Sequence, residues 1–242
     1  MLTIKILIIL IVRGLQSIDV LYKKYKIEVI MGKKAFTMLE LVMVIVVVGI
    51  LAALALPRLD RDLKQEAADN ILSAIRYTQH LALADDRHKF DNPKWHRRFW
   101  KIMFAQCSNN KYFYRIGNDA DMDSTTTFEE KEAALDPANG KLMYVANNGD
   151  CSANNVSQNI LIGKKYGVTV NKGTGGCQGL KHIGFDHLGR PHVSFSASDI
   201  PDYSTYMSTT CTLNFSLENG ETFQITIQPE TGYAQIVNQA AS

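Results

Sequence analysis

Residues 36–57, FTMLELVMVIVVVGILAALALP, decide how this chain is read. From Leu41 to Leu56 the sequence is unbroken apolar, and Glu40 is the only charge between Phe36 and Leu56. Taken as a helix, residues 36–56 rise about 31 Å at about 1.5 Å per residue. A hydrocarbon core is about 30 Å thick, so the stretch is long enough to span a bilayer. A carboxylate at the start of such a run is costly in lipid, and an ionisable group there reads as functional. Lys33 and Lys34 precede the run and orient it, with its N-terminal side in the cytoplasm and everything beyond Pro57 outside. A secretory signal would carry a shorter apolar core followed by a small-residue cleavage site. An ordinary signal anchor remains the plain alternative.

Lys33-Lys34-Ala35 followed by Phe36-Thr37-Met38-Leu39-Glu40 and the apolar run resembles the N-terminus of type IV prepilins and type II secretion pseudopilins. The resemblance implies a cut by a prepilin peptidase between Ala35 and Phe36, and N-methylation of the new terminal Phe36. It also implies that Glu40 is the carboxylate that directs assembly with other pilins or pseudopilins through the N-terminal helix. Family members usually carry Gly before the cut, where this chain has Ala35.

Residues 1–35 are then a leader. Ile6 to Val12 is an apolar run between Lys5 and Arg13, too short to span a bilayer and without a cleavage site after it. Family leaders are short and basic, and Met31-Gly32-Lys33-Lys34-Ala35 has that form, so residues 31–35 read as the leader proper. Residues 1–30 read as a mistaken upstream start, with a long native leader as the alternative.

Beyond Pro57 the helical pattern continues. Leu59, Leu63, Ala67, Ile71, Ala74, Ile75 and Leu81 recur at three- and four-residue spacing, an amphipathic stripe over residues 58–86. Proline inside a helix removes a backbone bond, so a bend near Pro57 is expected. Residues 87–242 form a β-rich globular domain. Strands are expected at 99–107 and 111–116 around a turn at 108–110, and at 141–145, 160–162, 182–185, 192–195, 211–217, 222–228 and 233–237. A short helix is expected at 129–135. The fold class is α+β: a long N-terminal helix, transmembrane in its first half and amphipathic in its second, packed on an antiparallel β-sheet domain whose last section, 182–237, is a meander, the pilin-like architecture.

Ile183-Gly184-Phe185 followed by Gly189-Arg190-Pro191 resembles the F-x-x-x-G-R strand-turn of H-type minor pseudopilins and their competence-linked relatives. Phe223 to Ile227 with Thr231-Gly232-Tyr233 resembles that family's final hairpin. The resemblance therefore implies a minor pseudopilin.

Composition sets few further limits. The chain is 46% hydrophobic and 21% charged with a net charge of +2, which gives no global pull toward nucleic acid or anionic membrane. Cys107, Cys151, Cys177 and Cys211 all lie on the outer side, and an even count in an oxidising compartment favours two disulfides. Three pairings are open; proximity along the chain favours Cys107 with Cys151 and Cys177 with Cys211. Zinc would need clustered ligands, and the five-residue spacing of His182, His187 and His192 suits neither one strand face nor one helix face.

Two local patterns carry binding chemistry. Asp119, Asp121, Asp123, Thr125, Thr127 and Glu130 fall at the oxygen-ligand positions of a calcium loop, although Ser124 stands where the turn glycine belongs. The alternative is a plain solvated loop, and some pseudopilins of the family bind calcium in a periplasmic loop. Lys94, Arg97, Arg98 and Lys101, with Lys89 before them, are interleaved with Trp95, Phe99 and Trp100. Such a pattern can grip phosphate while bases stack; an ordinary strand start with solvated cations is the plainer reading. No nucleophile elbow, P-loop or H-E-x-x-H motif occurs.

The sequence thus predicts a structural subunit rather than an enzyme. It would be a minor pseudopilin of a type II secretion or pilus-like system, single-pass in the inner membrane, its N-terminus cytoplasmic and its domain periplasmic. The alternative is a DNA-binding minor pilin of a natural-transformation system.

Overall fold

The structure, a computed structural model, describes residues 37–86, 91–123, 127–146, 149–151, 154–170, 173–178, 182–195, 199–201 and 203–238; within its long helix, side chains are described for 37–51 and 63–86. The chain divides into two compact units, Met1–Ala53 and Leu54–Ser242. Helix α1 (Met38–Ala84) runs through Pro57. Thr37 starts it: the Glu40 N–H donates to the Thr37 carbonyl at 3.0 Å and to its Oγ1 at 3.3 Å. A threonine hydroxyl in that position satisfies one of the donors that a helix start leaves over.

The expected transmembrane half is corrected. Among the described residues, no helix is long and apolar enough to cross a membrane.

The amphipathic half docks as its spacing predicts. Ala67, Ala68, Ile71, Leu72, Ala74, Ile75 and Ala82 are buried in the domain core, while Leu63 stays 40% exposed. Small residues dominate this stripe, which lets the helix lie close to what it covers. Polar side chains then fix its register. Gln79 Nε2 donates to the Gly189 and Thr231 carbonyls at 2.9 and 2.8 Å, and Arg76 Nη2 to the Ala234 carbonyl at 3.0 Å. The Tyr77 hydroxyl donates to the Leu135 carbonyl at 2.9 Å.

The meander expected over 182–237 is also corrected, because its strands divide between two antiparallel sheets among the described residues. In the first, β1 (Trp100–Gln106) and β2 (Tyr112–Gly117) form the hairpin expected around 108–110. β5 (Ile183–Phe185) pairs antiparallel with β1, and β6 (Pro191–Val193) with β5, giving the order β2-β1-β5-β6. In the second, β7 (Cys211–Leu217), β8 (Thr222–Ile227) and β9 (Ala234–Ile236) make a meander. β3 (Val168–Val170) and β4 (Thr174–Gly175) both pair with β7. The meander therefore breaks between β6 and β7: residues 183–193 join the first hairpin instead of continuing into 211–217. Cys211, Leu213, Phe215 and Leu217 alternate inward along β7, as a half-buried strand requires. They join Ile102, Phe113, Ile183 and Phe185 of the first sheet in one core.

Three smaller expectations fail for local reasons. Residues 160–162 form no strand; Ser157 accepts from Asn159 N–H at 3.2 Å and opens a 3-10 turn (Gln158–Ile160), followed by helix α2 (Ile162–Lys165). Residues 141–145 make only isolated bridges, from Leu142 to Leu135 and to Val156. The helix expected at 129–135 is a single 3-10 turn, Glu130–Glu132.

Candidate functional site

Glu40 lies in the first turn of α1, where the aligned peptide dipoles favour negative charge. Around it the helix is bare. Every large apolar side chain described from Met38 to Leu51 is at least half exposed, from 50% at Val46 to 89% at Met38. Consecutive residues point around the whole circumference of a helix, so this is an apolar cylinder rather than an apolar face. The leader, the cut between Ala35 and Phe36 and the methylation of Phe36 lie outside the described residues.

The four cysteines close two disulfides, Cys107–Cys151 and Cys177–Cys211, with Cα atoms 5.8 and 5.0 Å apart. Cys107–Cys151 ties the end of the first hairpin to the irregular segment before α2. Cys177–Cys211 ties the loop after β4 to the first residue of β7. All four sulfur-bearing residues are buried.

The acidic loop converges on a different set from the calcium-loop spacing. Asp119, Asp121 and Glu132 bring their oxygens within 4.8 Å of one another, whereas Glu130 is exposed. Glu132, which the spacing did not single out, is already committed to the backbone. Its Oε1 accepts from the N–H groups of Ala120 and Asp121 at 2.7 and 3.2 Å, and its Oε2 from that of Glu129 at 2.8 Å. Asp121 Oδ2 accepts from Lys131 Nζ at 2.8 Å, which also meets Glu129 at 3.0 Å. The Lys131 ammonium lowers the pKa of Asp121, while the charge of Asp121 raises that of Asp123. Protein donors thus engage both oxygens of Glu132 and one oxygen of Asp121. Thr125 lies outside the described residues.

The basic segment is turned inward. Trp95–Arg98 forms a 3-10 turn in which Trp95, His96 and Arg97 are buried. Arg97 Nη2 pairs with Asp199 Oδ1 at 2.8 Å, and Lys94 Nζ meets the same oxygen at 3.1 Å. Lys101 is fully buried; its Nζ donates to the Thr127 carbonyl at 3.3 Å and lies 5.6 Å from the centre of the Phe195 ring. Burial lowers its pKa to about 8, against the opposing pull of Asp119 and Glu132. Trp95 and Phe99 pack with Phe195 in a small second core. Arg97 and Lys101 are therefore not presented to a phosphate backbone, and Arg98 is half-buried. Both faces of β1 are covered around Lys101, where Lys101, Ile102 and Met103 are all buried.

The turn between β5 and β6 is the best-organised polar element. Asp186 Oδ1 accepts from the N–H groups of Leu188 and Arg190 at 3.0 and 2.9 Å, and Oδ2 accepts from Arg190 Nε at 2.7 Å. His192 Nε2 lies 3.5 Å from the same Oδ2. Burial opposes ionisation of Asp186, but His192 and Arg190 outweigh it and hold the carboxyl down to about 2. The opposite ring nitrogen, His192 Nδ1, faces Thr205 Oγ1 at 3.3 Å. Gly189 takes φ +77°, and Gln79 from α1 binds its carbonyl. The glycine of this turn thus ties the sheet to the helix, while the arginine braces the turn itself. His187 and His192 line one cavity, whereas His182 packs against Phe195 with ring centres 4.7 Å apart.

No known protein family, characterised protein or solved structure matches this chain.

Proposed function

We propose that the chain is a structural subunit, a minor pseudopilin, of a type II secretion or type IV pilus-like assembly. One observation carries this reading: the apolar cylinder of residues 38–51, bare on all sides, with Glu40 as its only charge. Apolar surface on that scale is not left in water, and it marks an interaction surface. Helices of neighbouring pilins or pseudopilins, and lipid of the inner membrane before assembly, are the coverings proposed. Glu40 then pairs with the amine of a neighbour's processed N-terminus, where a desolvated carboxylate and a fixed partner set register. A prepilin peptidase supplies that terminus by cutting before Phe36, and the new amine is methylated.

The domain lies in the periplasm in this reading, supported by Lys33 and Lys34 before the apolar run and by two buried disulfides, which belong in an oxidising compartment. The chain does no chemistry of its own; it positions others. Replacing Val44 with the photo-crosslinking residue p-benzoylphenylalanine tests this directly. Irradiation in cells should give an adduct between this chain and a second protein with a prepilin-type N-terminus. Adducts to lipid alone would overturn the reading.

A further inference from the structure

A cavity of about 180 Å³ opens beside the β5–β6 turn, with Trp95, Phe99 and Tyr203 among its walls and His187, His192 and Arg190 among its polar groups. Its walls are an aromatic cluster. The rings of Trp95 and Phe99 are 5.4 Å apart, those of Phe99 and His192 5.1 Å. An apolar cavity of about 150 Å³ accepts a benzene molecule, so one six-membered ring fits here. Tyr203 in its wall is 76% exposed.

Arg190 gives this cavity a sign. Its Nε is the atom engaged by Asp186, at 2.7 Å, and the guanidinium lies over the Tyr206 ring, 5.8 Å from its centre. A guanidinium carries five donors in a planar fork, of which Nε supplies one. The four on Nη1 and Nη2 have no partner among the described residues, and the side chain is 45% exposed. The carboxylate in the wall, Asp186, already receives Leu188 N–H, Arg190 N–H and Arg190 Nε and lies beside His192. An incoming acceptor therefore finds a preorganised cation whose own counter-ion is held by other donors. A carboxylate meeting a guanidinium fork forms paired charge-assisted hydrogen bonds.

We infer that this cavity is a binding site for a small aromatic carboxylate, its ring among Trp95, Phe99 and Tyr203 and its carboxylate on the Nη groups of Arg190. The site is independent of the apolar cylinder and of filament assembly. Phenylacetate is the probe, titrated calorimetrically into the full-length protein in a neutral maltoside detergent. Saturable binding with a dissociation constant near or below about 1 mM is expected, a modest affinity of about −4 kcal/mol. Benzyl alcohol, which keeps the ring and lacks the charge, should bind about tenfold more weakly, one lost charge-assisted pair. Arg190→Gln should remove the difference between the two probes. Because Arg190 also braces the turn, Tyr203→Ala provides a second variant on an exposed side chain, and it should weaken both probes together. No saturable binding by phenylacetate, equal binding of the two probes by the native protein, or unchanged binding by Tyr203→Ala would each overturn the assignment.

Discussion

Lys101 is the residue at which pH should act most visibly on this fold. It is fully buried, and burial holds its pKa at about 8 against an ordinary value of 10.5. The unfolded chain therefore binds this proton more tightly than the folded one. Where the unfolded state binds more protons, stability rises with pH. Lys101 thus penalises the fold fully below pH 8, and the penalty is relieved as pH rises from about 8 toward 10.5. Thermal melts between pH 7.5 and 9.5 should show an increasing midpoint that Lys101→Met abolishes; a flat profile in the native protein would refute it. Asp186 works with the opposite sign. Its folded pKa of about 2 lies below the ordinary 3.8, so its contribution is present above that value and lost as pH falls toward 2. Neither role was legible in the sequence. Lys101 looked like one of a run of surface cations, and the cover on both faces of its strand is what buries it; Asp186 looked like an ordinary turn residue. Glu132 escaped for a related reason: the calcium-loop spacing pointed to Glu130, whereas the 3-10 turn presents Glu132 to the backbone donors. Sequence spacing specifies ligand positions only when the loop has the assumed backbone, and this one lacks the glycine at Ser124.

At the level of elements, the join between α1 and the two hairpin turns holds the domain together. Gln79 donates one side-chain nitrogen to carbonyls from both turns, Gly189 in the first sheet and Thr231 before β9. Gly232 permits the approach, since a Cβ there would sit 2.5 Å from the Gly189 carbonyl oxygen, and its φ is +65°. Removing Gln79 leaves two carbonyls without their donor, at a cost of about 1–3 kcal/mol for each group that stays buried. Gln79 is only half-buried, so Gln79→Ala should lower stability by about 2 kcal/mol in all. Urea unfolding would register this as a lower midpoint with an unchanged slope, and an unchanged midpoint would show that the contacts are dispensable. The elements that the sequence disclosed were those with a strong period. The stripe from Ala67 to Ala82, the hairpin of β1 and β2 and the meander of β7 to β9 all carry it. The division into two sheets was hidden, because alternation reveals which face of a strand is buried and not which neighbour it pairs with. Short apolar runs such as 160–162 are equally ambiguous, and there the Ser157 cap decided for a helical turn.

For the molecule as a whole, residues 37–51 and the disulfide-tied domain need separate explanations. The domain has a core that two sheets and the second half of α1 complete. Residues 38–51 leave their large apolar side chains exposed. Helices of neighbouring subunits would cover them on all sides, and Glu40 would then be the charge that fixes how they align. The reading of Ala35 and Phe36 rests on local chemistry alone: two lysines, a small residue, a phenylalanine and a glutamate in fixed order. What the domain touches was not legible, since a partner surface has no period. The central proposal is that Glu40 drives incorporation, and co-purification with the cell's pilin-type subunits tests it. Glu40→Ala should fractionate where the native chain does, with both disulfides formed, yet be absent from the assembled fraction. Recovery of Glu40→Ala in that fraction at native levels would contradict the account.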